Sequence, residues 1–242
     1  MQYSILHVRM RYLIGNWKSY QTISETQIWL NQFRDLKPVI SQKVSLILCA
    51  PFTDLAEANR IIHHYGLQIQ IAAQDVSPFE EGKHTGEISA RMLAELTSFC
   101  LVGHSERRRE FNETSQIVAE KVARLIEANV RPIVCLDTPY LEEQIKTLLN
   151  KRIPLEKCIF VYEPIAAIGT GQAADPFDVE MVAQKISFLT ESRCPILYGG
   201  SVTPENVISY TRHHCVDGIL VGSESLNPAH FVQMMDNLSY ES

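Results

Sequence analysis

Eight short apolar runs, spread along the whole chain, leave few folds open to it. They are Tyr12–Asn16, Val44–Ala50, Leu67–Ala73, Phe99–His104, Arg131–Leu136, Cys158–Tyr162, Cys194–Tyr198 and Gly218–Gly222. Each is nearly continuous in hydrophobicity, the pattern of a strand covered on both faces. Helical periodicity fills the intervals. Ile117, Val118, Val122, Leu125 and Ile126 form one apolar stripe, with Glu120, Lys121 and Arg124 expected on the opposite, polar side. Asp175-Pro176 and Thr203-Pro204 each predict a helix start, with a capping side chain followed by proline at the first helical position. Strand-to-strand intervals of roughly 22–36 residues are those of βα units. Eight such units, with no GxGxxG fingerprint after the first, predict an α/β chain folded as one (β/α)8 barrel of eight parallel strands. The barrel is expected to span residues 10–242. Residues 1–9 are then an N-terminal extension with no role assigned, and Met10 is an alternative start.

The 242 residues suit one such barrel, which typically runs to about 250. A net charge of −6 argues against nucleic acid as a partner but leaves a small anionic substrate open. No apolar run approaches the ~18 residues of a membrane span, and the first residues lack the apolar core of a signal peptide. A cytoplasmic location is expected. The six cysteines (Cys49, Cys100, Cys135, Cys158, Cys194 and Cys215) lie in or beside separate runs with no CxxC pair. They read as small buried hydrophobes of a reducing compartment. His63-His64 and His213-His214 are adjacent pairs, which point apart on a helix, so no metal site is expected.

Barrels of this kind carry their chemistry at the C-terminal strand ends. Strand six delivers Glu163 at its tip, and Pro164 holds that residue extended. Ten small residues follow, Ile165 to Ala174, as a loop fit to close like a lid. Strand one ends in Asn16-Trp17-Lys18, placing a cation over the mouth. Strand four ends in Gly103-His104-Ser105, where the positive end of a helix dipole disfavours imidazolium. The turns Tyr198-Gly199-Gly200-Ser201 and Val221-Gly222-Ser223 lie where these barrels bind phosphate. Each residue has a plainer reading too: a solvated glutamate, a surface lysine, a hydrogen-bonded core histidine. Jointly, a base, a neutral electrophile, a cation, an anion cradle and a lid suit proton abstraction beside a carbonyl. No metal or organic cofactor is called for.

The motifs Asn16-Trp17-Lys18, Cys49-Ala50-Pro51-Phe52, Ala73-Gln74, Thr85-Gly86-Glu87-Ile88-Ser89, GHSERR from Gly103, Tyr162-Glu163-Pro164, AIGTG from Ala167, and YGGSV from Tyr198 run in one order along the chain. That series resembles the triosephosphate isomerase family from residue 11 to about 230. The resemblance implies interconversion of dihydroxyacetone phosphate and D-glyceraldehyde 3-phosphate, in glycolysis and gluconeogenesis, by a cytoplasmic homodimer. It implies Glu163 as base and His104 as the electrophile that shuttles protons between O1 and O2. Lys18 and Asn16 bind substrate, and Gly169, Ser201, Gly222 and the Ser223 N–H hold the phosphate. Glu106 and Ser105 back the site. Tyr198 and Ser201 latch a lid that contains Ala166 and ends at Ala174. The segment from Gln74 to Thr85 becomes the dimer loop, with Thr85 reaching the neighbour's site.

The chain departs from that pattern in three places. Ala166 replaces the tryptophan of the first lid hinge, and Thr138 replaces the glutamate that bonds it. Losing both partners strands no buried donor, so a shifted open–closed balance is expected rather than a dead enzyme. Ser223 replaces a cradle glycine; serine there costs on the order of 1–2 kcal/mol if the position needs positive φ. The segment from Asp137 to Lys157 is short. Two competing readings stay open: a paralogous barrel isomerase of a related sugar phosphate, and a catalytically weak barrel that binds a phosphate ligand.

Overall fold

The computed structural model describes residues 10–164 and 173–240. Among these residues, eight parallel strands close into a ring in chain order. They are β1 (Arg11–Asn16), β2 (Val44–Ala50), β3 (Gln70–Ala73), β4 (Phe99–Val102), β5 (Arg131–Leu136), β6 (Ile159–Tyr162), β7 (Ile196–Gly199) and β8 (Gly218–Val221). The outer layer holds α1 (Ile23–Asp35), α2 (Leu55–Tyr65), α3 (Ala90–Ala94), α4 (Ser105–Phe111), α5 (Ser115–Glu127), α6 (Leu141–Asn150), α7 (Pro176–Leu189), α8 (Val207–Thr211) and α9 (Pro228–Tyr240). The expected barrel is the observed one.

Strand side chains alternate, so residues two apart share a face. Tyr12 and Ile14, Ile159 and Val161, Leu197 and Leu220 pack inside the ring. Their neighbours Leu13, Phe160, Tyr198 and Val221 pack outward against the helices. Carrying the inner parity past the strand ends puts Asn16, Glu163, Gly199 and Gly222 at the mouth, and all four line one cavity there. The position of the site is thus a consequence of strand period and register.

Three local expectations are corrected. The run Leu67–Ala73 yields only Gln70–Ala73, because α2 ends in a left-handed Gly66 and the Leu67 N–H donates back to Ile62 O at 2.9 Å. The helix expected from Thr203 begins instead at Val207. Asn206 Oδ1 accepts from the Thr203 N–H (2.8 Å), and residues 204–206 form a turn before the helix starts. Lys121 is not on a solvent face. It is buried on α5, with Nζ 2.6 Å from Asp75 Oδ1 and also on Glu113. Arg107 completes the cluster, 2.8 Å from Asp75 and 2.5 Å from Glu113. Two cations balance two carboxylates, the condition under which buried charges are tolerated. Burial still pushes the Asp75 carboxyl above its ordinary range, against the pull of Lys121. The Asp175 cap, by contrast, forms as expected and accepts from Phe177 N–H at 2.8 Å.

The β1–β8 seam closes tightly at Gly218, where an added Cβ would press into the backbone of Tyr12. Backbone cannot yield there without parting the seam. Gly218→Ala is expected to destabilise the fold by about 1–3 kcal/mol. A lowered urea midpoint at unchanged slope would show it; an unchanged midpoint would refute it.

Candidate active site

The mouth of the barrel holds a cavity of about 300 Å³ lined by Asn16, Lys18, His104 and Glu163 on one side and by Ser201, Gly222 and Ser223 on the other. Residues from β1, β4, β6, β7 and β8 therefore meet, although the chain separates them widely.

Lys18 follows β1 in a left-handed turn, with φ of 51°. A non-glycine residue in that region needs support. Asn16 supplies it by accepting from the Lys18 N–H at Oδ1 (3.1 Å). Gln74 adds more: its Nε2 donates to Lys18 O (2.8 Å) and to Cys49 O (2.9 Å). The ammonium reaches Glu106 Oε1 at 2.6 Å. Burial alone would raise the Glu106 carboxyl, but the hydrogen bond and charge of Lys18 outweigh it and hold the group below its ordinary range.

His104 sits at the start of α4 after Gly103, whose φ of 68° turns the chain. Its Nδ1 accepts from the Glu106 N–H at 3.2 Å, capping the helix. An acceptor nitrogen carries no proton, so in this arrangement the ring's proton is on Nε2. That nitrogen lies 3.5 Å from Glu163 Oε1.

Glu163 is 3% exposed. Its N–H donates to Leu136 O at 2.8 Å, and its Oε2 makes no hydrogen bond among the described residues. Gly199 gives it room, since a Cβ there would come within 2.7 Å of Glu163 Cγ. Beneath lie Cys49 and Cys135. Burial first, and then the charge of Glu163, pushes both thiols up. The carboxylate therefore rests on neutral S–H groups.

At the far end of the loop after β6, two tyrosines hold Ala174. Its N–H donates to Tyr198 Oη (3.0 Å), and Tyr210 Oη donates to its carbonyl (2.9 Å). The rings stack at 4.4 Å. Burial pushes the Tyr198 hydroxyl up, so it stays protonated. Ala166 and Gly169 lie outside the described residues.

A family model described as triosephosphate isomerase matches residues 11–238. The chain belongs to the triosephosphate isomerase family. A triosephosphate isomerase of Thermus thermophilus is 38% identical over 243 residues, covering 91% of this chain and 96% of that one. Those of Dictyoglomus turgidum and a Nostoc species are 34% and 36% identical, each covering 93% of this chain and 98% of their own. The family is one of isomerases acting in glycolysis, and the chain is an enzyme of that class.

Where the chain departs from the triosephosphate isomerase pattern, the structure gives local detail. Thr138 Oγ1 lies 3.4 Å from Tyr162 Oη, beside the Glu163 strand end. Ser223 is not among the positive-φ residues; it opens a 3-10 turn, Ser223–Leu226, after Gly222, so no left-handed strain arises. Ser105 is buried at the start of α4. Thr85 is exposed in the loop after β3, where Phe79 stacks on His84 at 4.4 Å. Two features had no sequence signal. Gln74, expected at the start of the dimer loop, also anchors the Lys18 turn through its amide, a role that no motif signalled. Glu224 lines the cavity next to Ser223, although no motif singled it out.

Proposed function

We propose that this enzyme interconverts dihydroxyacetone phosphate and D-glyceraldehyde 3-phosphate through an enediolate, with Glu163 as base. A carboxylate buried over two neutral thiols, with one oxygen unclaimed, is the observation that carries this reading. Its role in this reading is to take a C–H proton from the carbon beside a carbonyl. Negative charge then develops on the carbonyl oxygen, where Lys18 and the Nε2–H of neutral His104 donate. His104 passes protons between O1 and O2, and Asn16 orients the substrate and Lys18. Ser201, Gly222 and the Ser223 N–H take the phosphate, joined by Gly169 from the loop that closes over it. Closure has a chemical purpose, because an enediol phosphate exposed to water loses its phosphate.

A coupled assay on glyceraldehyde 3-phosphate in deuterated water tests the reaction. Saturable turnover with deuterium entering the product carbon is expected. Turnover of other sugar phosphates but not of trioses would favour the paralogue, and phosphate binding without any turnover would favour the binder.

We also propose a cytoplasmic homodimer built through the loop after β3. Support comes from half-exposed Phe79 and exposed Thr85 at that loop, and from buried, unbridged Cys49, Cys100, Cys135 and Cys158. A monomer by sedimentation at micromolar concentration would remove the assembly, and a secreted pool on cell fractionation would remove the location.

A further inference from the structure

The charge balance of the cavity is adverse to its own substrate. Among the described residues lining it, Lys18 is the one lysine or arginine, set against the carboxylates of Glu163 and Glu224. Lys18 is already engaged by Glu106 at 2.6 Å. Glu224 stands one residue from Ser223, at the end proposed for phosphate, and no catalytic step uses it. A bare carboxylate there would repel a phosphate monoester carrying up to two charges.

His230, on α9, answers this. Its Nδ1 lies 2.6 Å from Glu224 Oε2, the length of a charge-assisted hydrogen bond in which the ring N–H donates to the carboxylate. Glu205, in the turn after β7, also feels His230. Its carboxyl is held below the ordinary range, mainly by Thr203 and its own backbone and in lesser part by the imidazole charge.

We infer that His230 is a positioning residue for substrate binding: hydrogen-bonded to Glu224, it offsets the repulsion that this carboxylate exerts on the substrate's phosphate. The inference rests on the reading of Ser201, Gly222 and Ser223 as the phosphate site. His230 touches no reacting atom, so its influence falls on binding and not on the chemical step. Its side chain is 46% exposed and that of Glu224 36%, so water and salt screen the pair. The effect is correspondingly several-fold.

Kinetics at low ionic strength on His230→Ala, Glu224→Gln, the double variant and His230→Arg test this, with thermal midpoints as a folding control. His230→Ala is expected to raise KM about threefold at unchanged kcat, and added salt of about 0.5 M to erase most of that rise. The double variant returns KM to the wild-type value, and His230→Arg, a permanent cation, keeps it there. An unchanged KM in His230→Ala overturns the inference. So does a double variant as weak as His230→Ala, since His230 would then act through something other than Glu224. The same variants are compared in calorimetric titration with inorganic phosphate. That pattern in Kd, without triose isomerisation by the wild type, keeps the inference and removes the isomerase reading. A wild type that binds no phosphate overturns both.

Discussion

Glu163→Gln is expected to lower kcat by about 10²–10⁴-fold, the usual worth of a positioned general base. The substitution is isosteric, so it keeps the close packing over Gly199, where a Cβ would come within 2.7 Å of Cγ, and the hydrogen bond from its own N–H to Leu136. What it removes is the ability to accept a proton. Stability should move the other way. A carboxylate at 3% exposure over two thiols is costly to bury, and a neutral amide is less so. The thermal midpoint is therefore expected at or above the wild-type value, a trade of stability against activity at one side chain. A variant within tenfold of wild-type kcat would show that another group is the base. A collapsed midpoint would show that Glu163 serves the fold.

Lys18→Met is expected to lower kcat/KM by about 10²–10³-fold, the cost of removing one oxyanion donor. Methionine keeps an unbranched stem of similar length. It adopts the left-handed turn at no greater cost than lysine, and the Asn16 and Gln74 hydrogen bonds to the backbone persist. The loss also reaches Glu106. With its chief opposing partner gone, burial would dominate and drive that carboxyl upward. Part of the damage is then a stranded acid, and Lys18→Met with Glu106→Gln should recover stability but not rate. Recovery of rate in the double variant would mean that Lys18 serves only to restrain Glu106.

The barrel was legible because strand hydrophobicity and spacing are local properties, and β6 through its parity carries Glu163 to the mouth. His104 was legible because Gly103 and the start of α4 sit in one short motif. Lys121 was not. Periodicity counts a lysine as solvent-facing, whereas α5 here packs a charged position against Glu113, just before the helix, and Asp75 from a distant loop. The start of α8 was misplaced for a similar reason, since Thr203 and Pro204 fit a helix start but the Asn206 side chain captures the Thr203 N–H first. Glu224 and His230 were missed because their meaning is a distance between a turn and the last helix, and no spacing rule encodes it.

The seam described at Gly218 also dictates an order of events. Seven of the eight strand pairings join neighbours in the chain and can form as it lengthens. The eighth joins Tyr12 to Gly218 and Gly15 to Val221, the two ends of the barrel sequence. Until the last strand exists, β1 offers an open hydrogen-bonding edge to any strand it meets. Contact order this long slows the final step, and the entropy of ring closure falls due all at once at the end of synthesis. Asn16 and Lys18 gain their neighbours Gly222 and Ser223 only in that step. A nascent chain is thus silent until it is whole, and activity itself becomes a report on barrel closure.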